Sequence, residues 1–244
     1  MKPRMDLESL IHHISLKIVD PYSVDTITRS ITKLDGLRRE ELLLKETGSP
    51  SPRLETYGNI PCVMVGSLKK STRTALLVVS EEGTKALVRF PFLEDIADEG
   101  LNLIVVDAVA ESTARTVARV LRVVSYADLR RDIIDHARIF LCGLGRVGVW
   151  GLVAAAVDER VSGVVAVNVP ASVSLPASGS LMVAEIAGLV APRKLAIVGA
   201  SNPEKVFART IDAYKRKTAS LRFEKEDSDV VRRAVSWMIQ EGVS

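Results

Sequence analysis

Hydrophobic residues recur at helical spacing near the start of the chain and then gather into short β-branched runs. In "MDLESLIHHISLKIVD" the spacing predicts a helix that stops at Asp20-Pro21, and "SVDTITRSITKLDGLRREELLLKE" reads as its continuation, capped by Ser23. "TGSPSPR" at 47–53 is a loop by composition. Beyond it, "PCVMVGS", "TALLVVS", "LNLIVVDA", "RIFLCG", "GVVAVNV" and "KLAIVGAS" read as strands. The segments between most of them carry helical periodicity: "ALVRFPFLEDIADEG", "STARTVARVLRVVSYADLRRDI", "VWGLVAAAVDER" and "LMVAEIAGLV". The tail adds a helix in "PEKVFARTIDAYKRK", a short strand in "SLRFEKE" and a last helix in "SDVVRRAVSWMIQEG". Continuously apolar strands alternating with helices predict an α/β fold, a mostly parallel sheet with helices on both faces in three layers. The expected organisation is an N-terminal helical arm over 1–46 and one α/β domain over 47–244.

Composition narrows the function. The 244 residues are 47% hydrophobic and 26% charged, the balance of an ordinary globular domain. A net charge of +3, with basic residues scattered among acidic ones, argues against nucleic acid, which needs a concentrated basic face. No apolar run reaches the roughly 18 residues of a membrane span, and "MKPRMDLESL" has no secretory apolar region, so a cytoplasmic protein off the membrane is expected. Cys62 and Cys142 each sit inside an apolar run and read as buried thiols. Scarce amides with abundant Arg and Glu suggest a thermophile. Metal ligation lacks a His/Cys cluster, so no metal is expected. The apolar stripe of the arm makes it the candidate surface for a homo-oligomer.

One stretch carries the candidate chemistry: "IFLCGLGRVGVWGLVAAAVDERVSGVVAVNVP", residues 139–170. Gly143, Gly145 and Gly148 spell G-x-G-x-x-G, which opens two readings. In a dinucleotide site these glycines admit a pyrophosphate to a helix N-terminus, and an acid on the next strand holds the ribose. Here that strand ends in Asn168, and the motif lies in mid-chain. In a nucleophile elbow the pattern is G-x-nucleophile-x-G-G, and Gly145 occupies the position of the nucleophile.

Context bears on the choice. "YADLRRDIIDHARIFLCGLGRVG" resembles the approach to the elbow in the α/β-hydrolase superfamily, in the branch of acetyl-xylan-esterase, dienelactone-hydrolase and prolyl-oligopeptidase-type enzymes. Asp135, Arg138 and "AAAVDERV" match that branch, and "APRKLAIVGASNP" is similar to its strand carrying the catalytic acid. The resemblance runs over roughly 57–240. It implies a triad in the order nucleophile, acid, histidine, and the implied positions are Gly145, Asn202 and the stretch Glu226, Asp227, Ser228. None suits the chemistry, and His12, His13 and His136 all precede the elbow. The oxyanion loop reads Ser80-Glu81-Glu82-Gly83, whose carboxylates oppose a developing oxyanion.

The resemblance therefore implies a non-catalytic α/β-hydrolase-fold protein that binds a small molecule or a partner chain without a cofactor. Its candidate ligand-binding residues are Gly143, Leu144, Gly145, Arg146, Gly148, Ser80, Glu81 and Asn168. The alternatives are a nucleotide-binding domain using the glycine turn, and a hydrolase with a non-standard site built on Asp107, Glu81 or Asp227. Trp150 and Trp237 are expected as core anchors on their helices.

Overall fold

The six β-branched runs of the main body become strands, and the segments between them fold back as helices over the sheet they form. A computed structural model describes residues 24–34, 36–46, 59–110, 113–175, 179–225 and 229–240. The strands are β1 (Val24–Leu34), β2 (Leu37–Glu46), β3 (Ile60–Ser67), β4 (Ala75–Val79), β5 (Asn102–Val106) and β6 (Ile139–Leu144). They continue with β7 (Val161–Val167), β8 (Ser172–Leu175), β9 (Gly179–Met182), β10 (Lys194–Val198) and β11 (Leu221–Glu224). The helices, numbered here in chain order, are α1 (Ala86–Arg89), α2 (Phe92–Asp98), α3 (Thr113–Leu129) and α4 (Gly148–Val157). After them come α5 (Val183–Leu189), α6 (Pro203–Val206), α7 (Ala208–Arg216) and α8 (Val230–Gln240).

Nine strands join in the order β1-β2-β3-β5-β4-β6-β7-β10-β11. From β5 to β11 every neighbouring pair is parallel, whereas the β1/β2, β2/β3 and β3/β5 pairs are antiparallel. Alternation along the strands feeds two cores. Leu77, Val79, Leu141, Val164 and Ile197 pack beneath α3, α4, α5 and α7. Leu76, Val78, Cys142, Val165 and Ala196 pack beneath α1, α2 and α8. Each fully buried aliphatic side chain contributes about 1.5–3 kcal/mol, so central strands buried on both faces hold the three layers together. Trp150 is half-buried against the first core; Trp237 packs on the second, its ring flanked by the Lys194 and Arg222 cations.

The helical arm is corrected over 24–46, which form a β-hairpin rather than a helix. Leu34 pairs with Leu37, and Gly36 takes φ +84°. Asp-Gly between alternating residues is a two-residue hairpin signal, outweighed in the sequence reading by the helix-forming "RREELLLKE". Pairing with β3 decides the outcome: Leu42 stands opposite Cys62 and Leu44 opposite Ile60, in the core. Glu40, also buried, is held by Arg38 at 2.6 Å and faces Arg130 at 3.9 Å. The hairpin is therefore part of the sheet, and the boundary expected at 46/47 does not separate it from the main body. Residues 1–23, with the first predicted helix, His12 and His13, lie outside the described residues. A second difference concerns "LMVAEIAGLV": Leu181 and Met182 belong to the β8/β9 hairpin, and α5 begins at Val183.

The "VDER" turn fastens the frame beneath the glycine turn. The Arg160 guanidinium donates to Asp158 at 2.6 Å and to the Ser125 hydroxyl at 3.1 Å, and it reaches Asp128 at 3.4 Å. Arg193 donates to the Asp158 and Val161 carbonyls at 2.8 and 3.1 Å. This network ties α3 to both ends of the turn before β7 and to the loop before β10.

Candidate functional site

β6 is buried along its whole length and delivers the chain to Gly145 at the carboxyl edge of the parallel sheet. There the backbone turns through φ +66°, the Gly145 N–H donates to the Val167 carbonyl at 2.8 Å, and the Gly148 N–H donates back to the Gly145 carbonyl at 3.1 Å. The turn is tight because helix and strand almost touch. A Cβ on Gly148 would lie 2.5 Å from the Gly143 carbonyl carbon, and one on Gly143 would lie 2.7 Å from the Gly148 Cα. Both glycines are sterically required. Gly145 differs: a Cβ there meets nothing within 4 Å. The strained position has room for a side chain and carries none. Arg146 is exposed beside it, while Val147 is buried.

Register decides what stands next to this opening. Val79 pairs with Gly143 on one side and with Val106 on the other, and Leu144 pairs with Val167. Ser80 and Asn168 are thus the next residues on the two strands flanking the elbow, and Asp107 is the next one on β5. The sheet brings Ser80, Gly145 and Asn168 together along one edge. Ser80 is buried, with a hydroxyl that has no partner among the described residues, whereas Glu81 and Glu82 are exposed. Asn168 takes φ +52°, and its side-chain oxygen fills the space over Gly199, 1.8 Å from where a Cβ would stand.

Of the other triad positions and the histidines, Asn202 and His136 are among the described residues. Asn202 follows β10 at φ +48° and leads into α6, and its side chain is exposed and makes no capping bond. Glu226, Asp227 and Ser228, between β11 and α8, lie outside the described residues. His136 is exposed at the start of β6, at the end of the strand remote from Gly145, with Nδ1 3.6 Å from the Asp135 carboxylate. The glycine turn sits on a central strand of a sheet with an antiparallel extension, and its next strand ends in an amide packed on Gly199.

One contact was not legible in the sequence. Gly83, at φ +55°, lies against the half-buried Asp107, and a Cβ on it would stand 2.9 Å from the Asp107 carboxylate. The only sequence signal is a glycine four residues after β4. The Cys62 thiol donates to the Ile60 carbonyl at 3.7 Å; burial, and secondarily the Asp107 charge, push its pKa far up. Burial pushes the Cys142 thiol up to about 12. Neither thiol is a nucleophile at neutral pH. Among the described residues no group of three or more His, Cys, Asp or Glu could hold a metal, and no helix is long and apolar enough to cross a membrane.

No known family profile matches the sequence, and no curated protein is significantly similar to it. Solved structures do match. A methylesterase superposes with a TM-score of 0.65 at 20% identity over 95% of this chain, which spans 60% of that protein. A glucuronoyl esterase from Solibacter usitatus gives 0.68 at 13% identity, covering 99% of this chain and 95% of its own. An acetyl xylan esterase from Paenibacillus sp. R4 gives 0.64 at 12%, covering 98% and 96%. With the strand order, the antiparallel β3 and the glycine elbow at the tip of β6, these likenesses establish that the chain has the fold of the α/β-hydrolase superfamily.

Proposed function

We propose that this chain is a non-catalytic protein of the α/β-hydrolase fold that holds a small molecule at the tips of β4, β6 and β7. The observation that carries this reading is Gly145, which keeps the strained elbow backbone and an open Cβ position yet has no nucleophilic atom. The sequence also holds no histidine after His136, so a proton acceptor for the family mechanism is missing as well. The space left by the missing side chain lets a ligand approach the backbone N–H groups at the head of α4. Glu81 and Glu82 at the rim favour a neutral or cationic molecule over an anion.

The esterase neighbours make glucuronoyl and acetyl-xylan esters the first probes. The test pairs turnover with binding. Hydrolysis of p-nitrophenyl acetate is expected to stay at the spontaneous rate, for the native chain and for Gly145→Ser alike, because no histidine follows the elbow to activate a hydroxyl there. A thermal-shift screen with acetylated xylo-oligosaccharides and methyl glucuronate is expected to show saturable stabilisation. Turnover that is proportional to protein and lost on Glu81→Gln or Asp107→Asn would replace this reading with the non-standard hydrolase.

The nucleotide reading is separated by titrating NADH and ATP against the emission of Trp150, two residues beyond Gly148. A flat titration is expected. Self-association through the N-terminal segment stays part of the proposal. Because β2 pairs along β3, the truncation that tests it removes 1–23 only, and the mass by light scattering is expected to fall.

A further inference from the structure

The turn after β4 carries a buried polar group without a partner at the carboxyl edge of the sheet. Ser80 is 2% exposed, and its hydroxyl has no hydrogen-bond partner among the described residues. Asp107 stands beside it by register and is half-buried; none of those residues gives its carboxylate a hydrogen bond or an ion pair. Gly83 lies against Asp107 and ties back to the Ser80 backbone. It is buried at φ +55°, so near Asp107 that a Cβ would stand 2.9 Å from the carboxylate, and its N–H reaches the Ser80 carbonyl at a long 3.3 Å. Only Ala86 and Leu87 of the short α1 anchor the downstream side in the core, and Val88 is 82% exposed.

Burying a hydroxyl without a partner costs enough to shift an equilibrium roughly tenfold or more toward a state that hydrates it. A closed turn that shuts in Ser80 is therefore held closer in energy to an open one, and Gly83 is the residue type that lets it close against Asp107. We propose that the segment Ser80–Lys85 is a strap poised to open, which hydrates Ser80 and uncovers the tips of β4 and β5 beside Gly145. The strap is a property of the chain alone and stands whether or not the strand tips hold a ligand.

Amide hydrogen exchange on the full, ligand-free chain tests it. The Gly83 and Lys85 amides, bonded to the Ser80 and Glu82 carbonyls, are expected to exchange well ahead of those of Leu77 and Ile104 in the neighbouring strands. Ser80→Ala removes the unsatisfied hydroxyl and is expected to slow the turn amides about tenfold. Gly83→Ala places a methyl against Asp107 at a positive φ and is expected to speed them. Turn amides that exchange together with the strand core would overturn the proposal. So would a Ser80→Ala variant whose turn exchanges as fast as the native one, or a crystal structure with an ordered water on the Ser80 hydroxyl. If Ser80→Ala fails to fold, the native rates and Gly83→Ala still decide.

Discussion

Adding one methyl group at Gly148 and at Gly145 should have very different consequences, although the two glycines are three residues apart in the same turn. At Gly148 the new carbon would lie 2.5 Å from the Gly143 carbonyl carbon, whereas ordinary contact begins at 3.4 Å, so β6 and α4 must separate by about 0.9 Å. Both elements are buried, and Gly151 is already packed on Leu141 with no room for a Cβ, so rotation of the helix relieves nothing. Overpacking of this kind costs about 1–3 kcal/mol and more when backbone must move; about 3 kcal/mol is expected. At Gly145 the methyl meets empty space, and the cost is the left-handed backbone alone. That cost is about 1–2 kcal/mol, partly offset by lower entropy of the unfolded chain. Urea unfolding followed by tryptophan emission gives both values. For a chain of this size Gly148→Ala should lower Tm by about 6–12 °C and Gly145→Ala by about 2–4 °C. Equal losses at the two positions would refute the open Cβ site at 145, and with it the elbow as the place where a side chain is missing.

Three further outcomes are expected. Both thiols, buried and with raised pKa values, should resist a disulfide reagent in native buffer and titrate fully in denaturant; rapid reaction of either in the native state would contradict their placement. Arg160→Ala removes the guanidinium that joins buried Asp128 to the turn before β7 and leaves Asp128 with the exposed Arg131 alone, at 3.6 Å; it is expected to cost about 1–3 kcal/mol in urea, while Arg209→Ala on the surface costs under 1. Asp132 has its pKa lowered first by the hydrogen bond from Arg130. Its contribution is thus full above the unfolded carboxyl value, about 3.9, and is lost as pH falls through the lower folded value. Asp132→Asn should flatten that acid limb of the stability curve and leave its shape near pH 7 unchanged.

How much of this protein was readable in advance depended on whether the deciding interaction was local. "TALLVVS", "RIFLCG" and "KLAIVGAS" announced themselves because strands buried on both faces need apolar side chains at every position. The glycines of the elbow were legible for a similar reason: close approach of helix and strand excludes every other residue type at 143 and 148. The three histidines, all before the elbow, are likewise read directly from the sequence, and the proposal of a non-catalytic protein starts from them. The hairpin over 24–46 was not legible. Its Arg, Glu and Leu suit a helix locally, and only the edge of β3, 15 or more residues away in sequence, makes the extended form the one that buries Leu42 and Leu44. Nor could composition show that Ser80 is shut in without a partner, or that Gly83 leans on Asp107. Those facts arise where β4 and β5 end side by side, through pairing between strands more than 20 residues apart. The sequence by itself thus determined the α/β layering and the glycine elbow, because both are written in residue types that local geometry demands. Only the tertiary structure decided which end of the chain joins the sheet and what surrounds the empty position at Gly145, because register between distant strands sets both.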